Sequence, residues 1–244
     1  MKGLILGNSH VAALRAAFSR NQRLDLDFFA IPGGVGPRIR IDQGRLFSDQ
    51  KLAAVHSNIG NAEVDGLDLS CYDYVLVASL GVAAVRADFS HPYRQFVVAG
   101  LGVPLDPDAM PLSADMVEIA TTANIRQQAG IKAVRQLADA FAGQIVCATR
   151  PLPAVAKLEA DNPLVNIYGD KILSFLRWHA ETQPRIIRTI LDEISSDITM
   201  LDTPNPTWVK AGSTPVEYCM ANDAWHMNAD YGDIVLEQLC DALK

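Results

Sequence analysis

Residues 2–18 read Lys2-Gly3-Leu4-Ile5-Leu6-Gly7-Asn8-Ser9-His10-Val11-Ala12-Ala13-Leu14-Arg15-Ala16-Ala17-Phe18. The apolar run Gly3 to Leu6 has the length of a buried strand, and a few residues later the period changes. From His10 to Arg20 the apolar residues Val11, Leu14 and Phe18 recur at the spacing that lays one face of a helix on a core. A strand turning directly into an amphipathic helix is the opening of a parallel α/β sheet. Four more runs continue the pattern: Leu24 to Ala30, Tyr74 to Ala78, Gln144 to Ala148 and Asp197 to Leu201. The expectation is a three-layer, flavodoxin-like α/β fold with a five-stranded parallel sheet and helices on both faces.

Helical patterns fill the intervals. Ser113, followed by the acidic Asp115 and Glu118, marks the start of the longest, which runs to about Phe141 before Gly143. Asp170 to Ala180 and Pro184 to Ile194 read as two further helices, the second opened by its proline. Residues 88–112 follow neither period and are punctuated by Pro92, Gly100, Gly102, Pro104, Pro107 and Pro111. A loop of this length suits a binding loop or lid. With no repeat or break in composition, a single domain over 1–244 is expected.

The charge balance narrows the partners. A formal net charge of -7 offers no basic field to neutralise phosphates or to hold anionic lipid, so nucleic acid and membrane surfaces are not expected partners. The apolar stretch after Lys2 is too short for a signal-peptide core, which makes the cytoplasm the expected compartment. Four scattered cysteines, Cys71, Cys147, Cys219 and Cys240, form no C-x-x-C pair and read as buried free thiols. No metal site and no cofactor are expected, and the oligomeric state stays open.

Two short stretches carry chemistry. Gly7-Asn8-Ser9-His10 lies where the first strand gives way to its helix, so the Ser9 hydroxyl stands above the carboxyl end of the sheet and its N–H lies near the positive end of the helix. That arrangement suits a nucleophile; a serine in this place also serves simply as a helix cap. Near the other end, Asp223-Ala224-Trp225-His226 puts a carboxylate and an imidazole three residues apart, on one side of a helical turn. The carboxylate then fixes the tautomer of His226 and leaves its second nitrogen for a nucleophile. The alternative is a helix start with Asp223 as its cap.

Taken together, Gly7-Asn8-Ser9 and Asp223 with His226 resemble the first and last blocks of the SGNH/GDSL hydrolases, in order and in separation. Asparagine stands at position 8 where that family has aspartate. The resemblance implies Ser9 as nucleophile, His226 as general base and Asp223 as the acid that orients it. It also implies a small-molecule or carbohydrate ester as substrate, O-acetyl esters among them. Hydrolysis through an acyl-enzyme, acyl transfer to a glycan, and binding by a catalytically impaired module all remain open.

The middle blocks fit less closely. Gly34, in Pro32-Gly33-Gly34-Val35-Gly36, aligns with the second block's oxyanion glycine. Gly81, the other oxyanion or substrate-binding candidate, aligns with the glycine of the third block, but Ala83 stands where that block has its asparagine. Ser79, Asn58, Asn61 and Asn124 are the candidates to replace the missing donor. Trp208 and Trp225 serve either as an aromatic wall or as core, and Arg150 as a contact for an anionic group or as surface. His10 either lines the pocket or faces the helix, and His56, His91 and His179 lack spaced metal partners.

Overall fold

The computed structural model describes residues 1–30, 39–48, 66–81, 96–98, 110–162, 165 and 168–244. The expected sheet is present. In chain order the elements begin with β1 (Lys2–Gly7), α1 (Val11–Arg20), β2 (Asp25–Ala30), β3 (Ile39–Asp42), β4 (Arg45–Ser48) and β5 (Leu67–Asp68). There follow β6 (Tyr74–Leu80), β7 (Phe96–Val98), β8 (Met110–Leu112), α2 (Ala114–Gln127), α3 (Ala129–Ala140) and β9 (Gln144–Thr149). The chain continues through α4 (Ile172–Ile194), β10 (Thr199–Met200), α5 (Pro206–Ala211) and α6 (Ala229–Ala242).

The main sheet has the order β10-β9-β6-β1-β2, and all of its pairs are parallel. Alternation along β1 explains the layers. Leu4 and Leu6 point to one face, where Val75 and Val77 of β6 join Ile131, Val134 and Leu137 of α3 and Ile186, Ile187 and Ile190 of α4. Ile5 points to the other, with Leu76 and Ala78 of β6 and with Val11 and Leu14 of α1 and Val235 and Leu239 of α6. Strands buried on both faces must be apolar throughout, which is why β1 and β6 stand out in the sequence, whereas the edge strand β2 carries Asp25 and Asp27.

Chain order and sheet order part company between β1 and β6. From β1 the chain turns outward through α1 to β2, whereas from β6 it proceeds the other way through α2 and α3 to β9. The carboxyl ends of two strands diverging in this manner leave a crevice, the usual place for a ligand in an open parallel sheet. Ser9 follows β1 into that crevice. α6 reaches α1 closely because residue 232 is glycine: a Cβ there would lie 2.3 Å from the Ala13 carbonyl oxygen.

Two local readings differ from expectation. The helix foreseen from Ser113 to about Phe141 is two helices, separated by Gln128 in extended conformation at ψ 144. Its start is as foreseen, with the Ser113 hydroxyl accepting from Met116 N–H at 3.2 Å. The pair foreseen at Asp170 to Ala180 and Pro184 to Ile194 is one helix, α4, with Pro184 inside it. The buried stripe Phe175, Leu176, Ala180, Gln183, Ile186, Ile187, Ile190 and Leu191 runs unbroken through the proline, and its burial outweighs the cost of about 3 kcal/mol of proline in a helix interior.

A hairpin of β3 and β4 turns at Gln43 and Gly44, both at positive φ, and pairs with β5 in a small antiparallel sheet. Most of the 88–112 segment lies outside the described residues; within it β7 and β8 pair in parallel. Among the described residues no helix is long and apolar enough to cross a membrane.

Candidate active site

The turn after β1 is shaped by its own backbone and by Asn8. The Asn8 carbonyl accepts from Val11 N–H at 3.0 Å, the Ser9 carbonyl accepts from Ala12 N–H at 3.2 Å, and the Asn8 side chain accepts from His10 N–H at 3.1 Å. An asparagine side chain bonded two residues on makes the tight turn that lifts the next residue. Ser9 is thereby raised at the edge of the sheet. Its hydroxyl lies 2.9 Å from Nε2 of His226, across 217 positions of sequence.

His226 comes from a turn that ends at α6. Asp223 Oδ1 accepts from the N–H groups of Trp225 at 2.7 Å and His226 at 3.1 Å, while Oδ2 lies 2.6 Å from Nδ1 of His226. The reading of Asp223 as the cap of a helix is corrected here, because α6 starts at Ala229 and its cap is Asn228, whose Oδ1 accepts from Asp230 and Tyr231 N–H. The Asp223–His226 spacing therefore belongs to a non-helical turn. Met220 N–H donates to the His226 carbonyl at 2.9 Å and Ala154 N–H donates to the Ala224 carbonyl at 2.8 Å, fixing the turn to the segment after β9.

Burial alone would raise the Asp223 carboxyl. The hydrogen bonds from Trp225 N–H and from the His226 ring and N–H outweigh it, and hold the group below its ordinary value. An ionised Asp223 requires the proton of His226 on Nδ1, which leaves Nε2 as an acceptor for the Ser9 O–H. The imidazole is 41% exposed, so the pair is open to a molecule approaching from solvent. Three side chains in this order can move a proton from a hydroxyl to an imidazole and stabilise the resulting imidazolium.

His10 lies beneath this chain. Its ring stacks on that of His226 with centroids 5.1 Å apart and planes at 30°, and it is 7% exposed. Burial, the Arg150 charge and His226 lower its pKa from 6.5 to about 3, so the ring is neutral at ordinary pH. Together with Ala78, Ser79, Thr149, Met227 and Val235 it lines a small, mostly apolar cavity. Ser79 sits at φ 65 where the pairing of β6 with β9 slips, an uncommon conformation for a residue with a side chain.

The end of β6 holds a second polar group. Gly81 has φ +107, and a Cβ there would lie 2.6 Å from Oε1 of Gln183. Its N–H donates to Oε1 of Gln128 at 3.2 Å, so the residue that interrupts the helix also occupies the donor foreseen for an oxyanion. Gln183 Nε2 lies 2.9 Å from Nε2 of the buried His179.

Of the remaining candidates, Gly34, Asn58, Asn61, Ala83, His56 and His91 lie outside the described residues. Asn124 lies on the exposed side of α2. Trp208 is 6% exposed and packs on Tyr218 and Tyr231, which makes it core, whereas Trp225 lines a cleft with Arg150, His179 and Gln183. The four cysteines are free, with Cys71 exposed and Cys147 and Cys219 buried. Among the described residues no group of His, Cys, Asp and Glu is arranged to hold a metal ion.

No protein-family model matches the chain, and no curated protein matches it. Solved structures of similar shape include a carbohydrate acetylesterase family member from Sinorhizobium meliloti, 10% identical, with 100% of this chain and 97% of that one covered at a TM-score of 0.41. Another is a carbohydrate esterase family 2 enzyme with a carbohydrate-binding domain from Corynascus thermopiles (Myceliophthora fergusii), 13% identical, covering 99% and 66% at 0.41. A third is the periplasmic domain of a lipopolysaccharide acetyltransferase of Salmonella ser. Paratyphi A, 12% identical, covering 100% and 84% at 0.40. At these identities and scores the neighbours establish neither a family nor an activity for this chain.

Proposed function

We propose that this protein is a serine esterase of the SGNH/GDSL type acting on small acyl esters or carbohydrate O-acetyl groups. The observation that carries the reading is the hydrogen-bonded series Ser9 Oγ, His226 Nε2, His226 Nδ1, Asp223 Oδ2, with separations of 2.9 and 2.6 Å. Ser9 Oγ attacks the ester carbonyl as His226 Nε2 takes its proton, and collapse of the tetrahedral adduct expels the alcohol, which receives that proton. Water, deprotonated by the same imidazole, then attacks the acyl-serine; the acid leaves and Ser9 regains its proton. Asp223 holds the imidazole in place and balances its charge throughout.

Stabilisation of the oxyanion falls to the Ser9 N–H and, by the alignment, to Gly34. Loss of one side-chain donor, as Ala83 implies, costs about 2.7 to 4 kcal/mol in a typical enzyme and slows the reaction without abolishing it. The engagement of Gly81 N–H by Gln128 favours a second reading, in which the site binds a glycan or acylated ligand and does not turn it over. A fluorophosphonate probe distinguishes them, because covalent capture requires an activated serine. Labelling and aryl-acetate hydrolysis that both disappear in Ser9→Ala support the esterase; an unlabelled, folded parent supports the binding module, and activity surviving Ser9→Ala removes the mechanism.

A further inference from the structure

His10 is unusual in what it lacks. It adjoins the proposed nucleophile and is buried at 7% exposure, yet neither of its ring nitrogens has a hydrogen-bond partner among the described residues. A buried imidazole without partners is less stable there than an apolar residue of similar shape. Its nitrogens also serve no proton transfer, since the acceptor position on Ser9 is filled by His226. What His10 does offer is a face. The ring lies against His226 with a centroid separation of 5.1 Å and an angle of 30°.

We propose that His10 is a positioning residue for His226, its neutral ring acting as a π platform that holds the base toward Ser9 and favours the imidazolium formed during acylation. This rests on the esterase reading and adds to it a residue that touches neither substrate nor hydroxyl. An aromatic face within about 6 Å of a cation attracts it, and the attraction grows where water is excluded. The platform must itself stay neutral, because two charged imidazoles in contact would repel.

The surroundings of the two rings provide for that. His10 faces Arg150 from the end of β9 and His226 and Asp223 from the turn before α6, and burial with the first two brings its pKa down to about 3. His226 faces Ser9 from the β1 turn, Asp223 from its own turn, and His10. His10 thus stays uncharged across the neutral range and offers His226 a face without a competing charge.

The test compares the parent with His10→Phe, which keeps a ring and removes the nitrogens, and His10→Leu, which removes the ring. kcat and KM on an aryl acetate are measured across pH, and the His226 imidazole is titrated by NMR in the free protein. The expected result for His10→Leu is a roughly tenfold fall in kcat with KM little changed and a His226 titration displaced to lower pH by about half a unit or more. His10→Phe recovers kcat to within about threefold and returns the titration toward the parent's. Equal losses in folded Leu and Phe variants, or a His226 titration unmoved by Leu, would overturn the proposal. The titration does not depend on turnover, so a parent that fails to hydrolyse esters sinks the esterase reading while the NMR comparison still decides whether the ring sustains the imidazolium.

Discussion

His10 and His179 are both buried, at 7% and 9% exposure, and both lie at the carboxyl edge of the same sheet. His179 has Gln183 at 2.9 Å and the Phe175 ring at 6.0 Å, whereas neither nitrogen of His10 finds a partner among the described residues. The first is held by a directional bond within one helix, at positions i and i+4. The second is held by shape and by the ring it stacks on. A hydrogen-bonded histidine thus matters through its nitrogens and a stacked one through its face, and replacements separate the two.

The largest effect is expected at His226, whose two ring nitrogens are engaged by Ser9 and Asp223. Asp223→Asn leaves a partner of the same shape but no charge, and removes the fixed tautomer. Under the proposed mechanism kcat should fall by about three to four orders of magnitude, read in ester hydrolysis with circular dichroism as the control of folding.

Next in size is an acid dependence of stability. The folded protein keeps His10 neutral down to about pH 3, while the unfolded chain takes up a proton near 6.5. Between those values the unfolded state binds more protons, so stability is complete above pH 6.5 and declines as pH falls. The span corresponds to roughly 5 kcal/mol. Urea titrations at pH 7 and pH 4 should show a smaller difference for His10→Phe than for the parent; an identical difference would mean that His10 is protonated in the fold.

His179→Leu leaves Gln183 without its ring partner in a buried place, and the unfolding free energy should drop by about 2 kcal/mol. Its signature is a lower urea midpoint, where that of His10→Leu is a lower kcat. The smallest effect is expected for Gln128→Ala, which removes the acceptor from Gly81 N–H and should cost about 1 kcal/mol. Faster hydrogen exchange at the Gly81 amide is the sensitive measurement, and an unchanged rate would show that Gln128 does not protect it.

The parts of this molecule that could be read from sequence are those governed by local pattern. The strands are evident because short apolar runs, β1 and β6 above all, contrast with the helical periods between them, and Ser9, Asp223 and His226 stand out by residue type and order, three side chains that the fold brings within hydrogen-bond reach. The hairpin at Ile39 to Ser48 escaped since Gln43-Gly44 is a weaker turn signal than Asn-Gly, although Gly44 does mark it. Pro184 has the local signature of a helix start, but an apolar stripe continuous across α4 overrides it. The helix break at Gln128 could not be foreseen, because its partner Gly81 is 47 residues away. The platform beneath His226 was out of reach for the same reason, as stacking between His10 and His226 exists only once both ends of the chain have folded.

The 217 positions between Ser9 and His226 also have a meaning in time. A ribosome adding about 5 to 20 residues each second leaves an interval of roughly ten to forty seconds between them. Throughout it the nascent chain carries the serine of β1 without the imidazole of the last turn. In the folded protein α6 docks closely on α1, as the absent side chain at Gly232 permits, beside the turn that carries the serine. The hydroxyl stays unpaired with its base during synthesis, and the pair forms only as the fold closes.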